Sequence, residues 1–233
     1  MRALLGQSSL TSTMFGPAEA VTQAVGDLMV FLRYGDRDRL EAAQVALRSV
    51  ISLEAGQGDH DARWVAVHLL HIAEGMETSS VWSVLPDDTP PIVAQAFTVG
   101  TPPVLTLWPP QRALLTRSTL NPLDPATRRL LLSVPTSAGK TLIAQLLICH
   151  HLVTQPGNVC YVTPLRSLGR EMRQALTGRM RVIQKGLGAN FADFGNVTIE
   201  QFFDLVDEPT DSSVEVMTPE RLSHLLRHDP TSV

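Results

Sequence analysis

The sequence predicts an α/β protein in which a parallel-sheet domain follows an all-α region. Apolar residues recur at three- and four-residue steps over residues 17–85, which is the period of a helix. Proline-rich stretches interrupt the chain on both sides of residue 95, and short apolar runs then alternate with helical segments. Strands that alternate with helices are typical of a parallel sheet covered on both faces. We therefore predict a helical N-terminal domain over residues 1–100 and an α/β domain over residues 101–233.

The predicted helical domain has three amphipathic segments. The first begins after Gly16-Pro17, the second runs from Leu40 and stops at Gly56, and the third includes Trp64 and Ile72. Their short connections predict an antiparallel bundle. Residues 1–100 carry six basic and twelve acidic side chains, so this region is a poor nucleic-acid surface. We expect it to bind a protein partner instead.

The overall composition is that of a globular protein of the cytoplasm. The apolar fraction is 44% and the charged fraction is 18%. No stretch approaches the roughly 20 apolar residues that span a bilayer, and the first 16 residues make a poor signal peptide. Cys149 and Cys160 are too few for a disulfide framework. We therefore expect no membrane contact and a reducing, cytoplasmic location.

Predicted strands and helices alternate over most of the second half. Short apolar runs bounded by turn residues predict strands, and longer periodic runs predict helices. The predicted strands are Arg129–Val134, Asn158–Val162, Met180–Gln184 and Val214–Met217, and the predicted helices are Thr141–Leu152, Leu165–Leu176 and Pro219–Arg227.

A phosphate-binding loop is predicted between the first of these strands and the first helix. The segment VPTSAGKT occupies residues 134–141, where backbone N–H groups and a helix N-terminus can hold an anion. We expect Lys140 to reach the β- and γ-phosphates of a nucleotide and the Thr141 hydroxyl to bind Mg²⁺. Val134 stands where the general pattern has a glycine, so a plain strand-turn-helix remains the alternative. The predicted nucleotide-binding residues are Pro135, Thr136, Ser137, Ala138, Gly139, Lys140 and Thr141.

The loop and three further segments resemble the ordered motifs of one enzyme family. PTSAGKT, with no leading glycine, is similar to motif I of superfamily 2 helicases, and most similar to the DExH-type branch. LWPPQ at residues 107–111 resembles the glutamine motif, and YVTPLRSL at residues 161–168 resembles motif Ia. VEVMTPERL at residues 214–222 resembles motif Ib. The resemblance implies an incomplete RecA-like lobe that uses ATP and Mg²⁺, and residues 1–100 lie outside it.

The same resemblance implies a role for individual residues. Gln111 would read the adenine edge, while Pro164, Arg166, Thr218 and Pro219 would contact the backbone of single-stranded RNA or DNA. Such contacts carry no sequence preference.

Each of these residues also has a structural alternative. Arg166 shares one helix face with Arg170 and Arg173, which a solvated charged face would also explain. Thr218 suits a helix N-cap, and Gln111 could be an exposed helix residue. Trp108 is expected to pack in the core, with stacking near adenine as the alternative.

The carboxylates that hydrolysis needs are not assigned within this sequence. In the family they follow motif Ib, and the sequence stops at Val233 soon after it. We therefore expect no catalytic residue here and expect the downstream helicase lobe to be the missing partner. The acidic run at residues 202–208 precedes motif Ib, and its spacing predicts an amphipathic helix capped by Thr198 and Gln201. His224 and His228 are predicted to form a polar helix face, so no metal is assigned beyond Mg²⁺.

Three functions remain open from the sequence. The first is the ATP-binding and nucleic-acid-binding section of an ATP-dependent helicase. The second is a naturally short, non-catalytic module that binds nucleotide, nucleic acid or a protein partner. The third is another phosphate-loop enzyme such as a small kinase, which would leave the segments at residues 161–168 and 214–222 unexplained.

Overall fold

The computed structural model describes residues 16–53, 59–135, 138–155, 157–187, 197–200 and 212–228. The chain divides into two compact units. The first contains the described residues up to Pro86, together with Phe97–Val99 and Pro103–Thr116. The second contains Asp87–Ala96, Gly100–Pro102 and the described residues from Arg117 onward. The domain boundary near residue 100 stays a prediction.

The described part of the first unit is helical. Its helices are α1 (Pro17–Tyr34), α2 (Arg37–Ile51), α3 (His60–Ser79), α4 (Val81–Val84), the last residues of α5 (Pro91–Thr98), and α6 (Pro109–Leu115). Asp36 caps α2 and Asp59 caps α3, because each carboxylate accepts backbone N–H groups that have no partner inside the helix. The second helix ends at Ile51, whereas Gly56, its predicted end, lies outside the described residues.

Helices α2 and α3 run antiparallel. Gln44 donates a 2.8 Å hydrogen bond to Glu77, and Arg48 forms a 2.9 Å ion pair with Glu74, so residue numbers rise along one helix and fall along the other. Behind these polar pairs lies an apolar core that α1 completes. Its fully buried members include Leu28, Phe31, Leu47, Ala66 and Met76.

The second unit contains a three-stranded parallel sheet. Its elements are α7 (Lys140–Thr154), β1 (Val159–Val162), α8 (Arg166–Leu187), β2 (Val197–Glu200), β3 (Ser212–Met217) and α9 (Pro219–His228). The strand order is β1-β3-β2, so β3 is central and parallel to both neighbours. The predicted elements at α7, β1, β3 and α9 are confirmed.

The prediction of a buried strand at Arg129–Val134 is wrong. The structure assigns neither helix nor strand to this run, and Leu131 is 94% exposed. A strand is stabilised by a hydrogen-bonded neighbour, and the described strands pair only with one another. An apolar run therefore does not become a strand unless another strand lies beside it.

The prediction of a strand at Met180–Gln184 is also wrong, because these residues lie inside α8. The buried apolar residues of this helix follow one another at steps of four, four and three, and they are Met172, Leu176, Met180 and Ile183. That spacing is helical, so α8 continues well past the predicted end at Leu176.

The helix predicted from Thr198 is wrong at its start. Thr198 and Ile199 belong to β2, where Ile199 pairs with Val214 of β3. Pairing with the central strand outweighs the local capping pattern at this position. The rest of the predicted helix, including the acidic run at residues 202–208, lies outside the described residues.

A buried arginine ties α8 to the segment that precedes it in this unit. Arg179 is 2% exposed and donates hydrogen bonds of 2.9 Å to the Ala96 carbonyl and 3.0 Å to the Pro102 carbonyl. A Cβ atom on Gly100 would lie 2.7 Å from the Arg179 Nη1 atom. The segment therefore needs a glycine at residue 100 to close over the guanidinium.

Candidate functional site

The phosphate loop turns into α7 at a glycine. Gly139 has φ 75° and ψ 31°, a left-handed conformation that only glycine adopts without steric cost. Its carbonyl accepts hydrogen bonds from the N–H groups of Leu142 (3.1 Å) and Ile143 (3.3 Å), so the helix begins at once. The first turn of a helix presents N–H groups without intrahelical partners and a partial positive charge. This end of α7 is therefore suited to an anion.

The Lys140 side chain folds back over the loop. Its ammonium donates hydrogen bonds of 2.9 Å to the Val134 carbonyl and 3.0 Å to the Pro135 carbonyl. The Ala138 N–H donates to the same Pro135 carbonyl at 3.2 Å, which tightens the turn. Thr141 is exposed beside Lys140, whereas Thr136 and Ser137 lie outside the described residues. The one lysine of the loop is thus held by neutral oxygens.

Gln111 stabilises the start of α6. Its side chain is 4% exposed, and its Oε1 atom accepts a 2.9 Å hydrogen bond from the Trp108 N–H. The alternative of an exposed helix residue is therefore wrong for Gln111. Trp108 is 57% exposed, so the expectation that it packs in the core is also wrong. A glutamine at the third helical position commonly reaches back to the N-cap amide, and this pattern was present in the sequence.

The four residues predicted to contact nucleic acid lie at one edge of the sheet. β1 and β3 are parallel neighbours, and Val162 at the end of β1 is in register with Met217 at the end of β3. The Thr163 N–H donates a 3.0 Å hydrogen bond to the Met217 carbonyl, which extends the pairing by one step. The loops that follow the two strands therefore begin side by side. Pro164 and Arg166, the first residue of α8, follow β1, whereas Thr218 and Pro219, the first residue of α9, follow β3.

A carboxylate lies at the start of α9. Glu220 accepts hydrogen bonds from its own backbone N–H and from the Thr218 hydroxyl, and both lower the pKa of its carboxyl group. The positive charge of Arg166 lowers that pKa further, so the starts of α8 and α9 are close enough to interact electrostatically. Glu220 is not among the site residues expected from the sequence. Its position in the first turn of a helix was the available signal.

The two arginines that follow motif Ia on the same face of α8 differ in exposure. Arg170 is exposed, whereas Arg173 is half-buried. On α9, the rings of His224 and His228 lie 4.4 Å apart and are exposed. Within the described ranges, no three His, Cys, Asp or Glu side chains are grouped closely enough to hold a metal ion.

Neither cysteine is suited to nucleophilic chemistry. Burial raises the pKa of the Cys149 thiol to about 12, although the nearby charge of Arg179 opposes the shift. Partial burial raises the pKa of Cys160, which is still exposed at the surface, and the carboxylate of Glu215 adds to that effect. A reactive cysteine needs a lowered pKa, so both thiols stay protonated near neutral pH.

None of the helices in the described part of the chain combines the length and the apolar character needed to cross a membrane.

Comparisons with known proteins place these features in a family. The model of the DEAD/DEAH box helicase family matches residues 114–232, which is just over half of the chain. Over 203 residues the chain is 26% identical to the Hachiman protein HamB of Bacillus cereus, and the match covers 84% of this chain and 17% of that protein.

Two archaeal proteins are similar over shorter stretches. The ATP-dependent DNA helicase Hel308 of Pyrococcus abyssi is 38% identical over 65 residues, which cover 28% of this chain and 8% of that protein. Hel308 of Thermococcus kodakarensis is 26% identical over 122 residues, which cover 52% of this chain and 10% of that protein. The chain therefore spans less than a fifth of each of these relatives. Because the family match contains both the phosphate loop and the shared end of β1 and β3, the chain belongs to the DEAD/DEAH box helicase family.

Proposed function

We propose that this chain is the ATP-binding and nucleic-acid-binding part of an ATP-dependent superfamily 2 helicase. The observation that carries the proposal is the common sheet edge at which α8 and α9 begin, in the same unit as the phosphate loop. Two neighbouring helix starts and Arg166 offer N–H groups and positive charge to consecutive phosphates. The family uses ATP, typically with Mg²⁺, and acts on nucleic acid.

The residues of the loop fit a nucleotide phosphate. Gly139 supplies the turn, α7 supplies the helix end, and Lys140 supplies a cation that only neutral carbonyls hold in the described part of the loop. A phosphate would exchange those two neutral acceptors for charged oxygens, and hydrogen bonds between charged groups are the stronger kind. Among the described residues, no carboxylate has to be displaced from Lys140. Bound ATP supplies the phosphoryl group whose hydrolysis drives such motors, and Thr141 is the proposed ligand of its Mg²⁺.

The sheet edge fits the sugar-phosphate backbone of a single strand. Thr163 is buried and bonded to β3, so it fixes the loop that carries Pro164 and Arg166. Thr218 accepts the Leu222 N–H at 3.1 Å through its carbonyl, which sets the direction of α9. Contacts made by helix ends and Arg166 to a backbone carry no base preference. We propose that Gln111 recognises adenine, as the resemblance implies.

We assign no hydrolytic carboxylate among these 233 residues. The proposal is therefore that this chain binds ATP without steady turnover, and that hydrolysis depends on a downstream helicase lobe. The chain spans only 17% of HamB and 8% of the Pyrococcus protein, so most of each relative has no counterpart in it.

A protein partner is proposed for the helical region. Trp64 of α3 is 65% exposed and Val67, one turn along the same face, is also exposed. Large apolar side chains that share an exposed face are typical of protein-binding surfaces. This part of the chain also carries an excess of acidic residues, which disfavours nucleic acid as the partner.

Nucleotide binding is tested with Lys140→Ala and a matched control. Lys185 is the other lysine of the sequence and is exposed on α8, so Lys185→Ala removes the same charge away from the loop. Titration with a fluorescent ATP analogue and Mg²⁺ should show at least about tenfold weaker binding for Lys140→Ala, because charge-assisted bonds are lost. Lys185→Ala should bind as the unaltered chain does. Equal binding by both variants, or steady ATP turnover by this chain, would contradict the proposal.

Backbone binding is tested with single-stranded DNA and RNA of unrelated base compositions. Anisotropy titrations should give similar affinities for different sequences and a steep loss of affinity with salt. Arg166→Ala should weaken all of them alike. A preference for one base sequence, or no binding at low salt, would refute the assignment of this edge.

A further inference from the structure

Helix α8 is strongly basic, and most of its positive charges lie beyond motif Ia. Its sequence, RSLGREMRQALTGRMRVIQKGL, has five arginines and one lysine against one glutamate. Arg179 is buried, and we call it the buried clamp because it donates hydrogen bonds to the Ala96 and Pro102 carbonyls. At about 100° per residue the other five basic side chains fall within an arc of about 120° of the helix surface. They are Arg166, Arg170, Arg173, Arg181 and Lys185, and we call this arc the basic face of α8.

Packing accounts for the other sides of the helix. The sheet covers one side, since a Cβ atom on Gly169 would lie 3.3 Å from the Val216 side chain. The segment at residues 100–102 covers another side, since a Cβ atom on Gly178 would lie 3.1 Å from the Thr101 carbonyl. The basic face lies outside both contacts. The buried apolar residues occupy the adjoining arc of the helix, and they are Met172, Leu176, Met180 and Ile183.

The basic face is open to solvent along most of its length. Arg170, Arg181 and Lys185 are exposed, and no carboxylate in the described part of the chain lies within ion-pair distance of them. The helix rises 1.5 Å per residue, so the stripe from Arg166 to Lys185 is about 28 Å long. Arg170, Arg181 and Lys185 carry like charges on one rigid helix, and these charges repel one another unless an anion neutralises them.

We propose that the basic face of α8 binds the phosphate backbone of a nucleic-acid duplex that adjoins the single strand held at the sheet edge. This inference rests on the proposed function, because Arg166 belongs to both surfaces. Double-stranded DNA carries one phosphate charge per about 1.7 Å of axis when both strands are counted, so a length of about 28 Å spans about 16 phosphates, and the helix reaches those on the facing side.

The chemistry of the face favours a duplex over a longer single strand. Single-strand sites usually combine positive charge with aromatic side chains on which bases stack. Helix α8 contains no aromatic residue. A duplex keeps its bases stacked inside, so a straight charged helix meets the phosphates of both strands on the side that faces it.

The test compares two triple variants with the same loss of charge. One is Arg170→Gln/Arg181→Gln/Lys185→Gln on the basic face. The control, Arg33→Gln/Arg37→Gln/Arg63→Gln, neutralises three exposed arginines on α1, α2 and α3. The probes are a DNA duplex of roughly 20 base pairs, about two helical turns, with a single-stranded tail, and that tail alone. Each titration is repeated over a range of salt concentrations.

The basic-face variant should bind the tailed duplex at least about tenfold more weakly near 0.1 M salt. The slope of log K against log salt should fall by about 2–3, because each phosphate contact on duplex DNA contributes about 0.9. Its affinity for the tail alone should change less than about twofold, and the control should match the unaltered chain on both probes. Arg170→Lys/Arg181→Lys keeps the charge and should keep the slope.

Three results would overturn the inference. If the basic-face variant shows an unchanged salt slope on the tailed duplex, the basic face does not contact the duplex, and the proposed function is unaffected. If the variant loses as much affinity for the tail alone, the ligand of the basic face is a single strand and not a duplex. Competition by polyglutamate as effective as by duplex DNA makes the face a general polyanion surface. If the unaltered chain binds neither probe, the proposed function itself fails.

Discussion

Removal of the Arg179 guanidinium should destabilise the second unit. Arg179→Met keeps an unbranched apolar stem and deletes the hydrogen bonds to Ala96 (2.9 Å) and Pro102 (3.0 Å). A hydrogen bond that involves a charged group contributes about 1.5–3 kcal/mol, and both carbonyls would lose their donor. Against this, the substitution relieves the cost of burying the charge, which is the cause that lowers the pKa of Arg179. We expect a net loss of about 2–4 kcal/mol in the free energy of unfolding.

The tryptophans allow the two units to be followed separately. The sequence has three, Trp64, Trp82 and Trp108, and all lie in the first unit. Tryptophan fluorescence therefore reports the first unit, while far-ultraviolet circular dichroism reports the helices of both. With a urea m-value of about 2 kcal/mol/M, the expected loss moves the transition of the second unit by roughly 1–2 M. The fluorescence midpoint should stay in place.

A neighbouring arginine provides the control for this measurement. Arg181 is exposed on the same helix, so Arg181→Met should change the free energy of unfolding by less than about 0.5 kcal/mol. Arg179→Lys should be intermediate, because one ammonium cannot reproduce the planar fork of a guanidinium. If Arg179→Met and Arg181→Met unfold at the same urea concentration, the buried clamp contributes nothing and the reasoning is wrong.

Four further outcomes are expected. Gly100→Ala should cost about 1–3 kcal/mol in urea unfolding, because its Cβ atom would collide with the Ala96 carbonyl and the guanidinium. As a control, a Cβ atom on Gly75 would meet no atom within 4 Å, so Gly75→Ala should stabilise α3 by about 0.5–1 kcal/mol. If both substitutions change the free energy of unfolding equally, the expected collision at Gly100 does not occur. A thiol reagent near neutral pH should modify Cys160 in the folded chain and reach Cys149 only on unfolding; rapid labelling of both would contradict their placement. Because the Cys149 pKa of about 12 exceeds the ordinary value of 9.0, the thiol stays protonated in the folded chain while the unfolded chain ionises. Stability should therefore fall between pH 9 and 12 by up to about 1.4 kcal/mol per unit, and Cys149→Ala should remove that slope. Glu220→Gln should strengthen binding of single-stranded DNA by a few-fold in anisotropy titrations, because it removes a negative charge from the start of α9. Weaker binding would show that the carboxylate supports the site.

The sequence predicted the elements whose signals are local. α7, β1, β3 and α9 combine a clear apolar period with loop residues that start or stop them, and the structure confirms each. Once the sheet is parallel, the meeting of Pro164 and Thr218 at one edge follows from the direction of the strands. That part of the candidate site needed no knowledge of distant contacts.

The remaining features depend on partners far along the chain. Arg129–Val134 fails as a strand because no described neighbour pairs with it, while Thr198 and Ile199 become a strand because β3 does. The contacts of Arg179 lie 83 and 77 residues away, so its role as a clamp leaves no local pattern in the sequence. Such pairings are decided by tertiary packing, which outweighs local propensity.

The strand order β1-β3-β2 has a consequence for synthesis on the ribosome. The central strand is the last of the three to be made, and Cys160 of β1 pairs with Glu215, 55 residues later. At about 5–20 residues per second, the nascent chain carries β1 for about 3–11 s before its neighbour exists. The helical bundle is complete well before that moment, because its contacts are local. During that interval β1 has no strand beside it, so its backbone groups form their sheet hydrogen bonds only after β3 has been made.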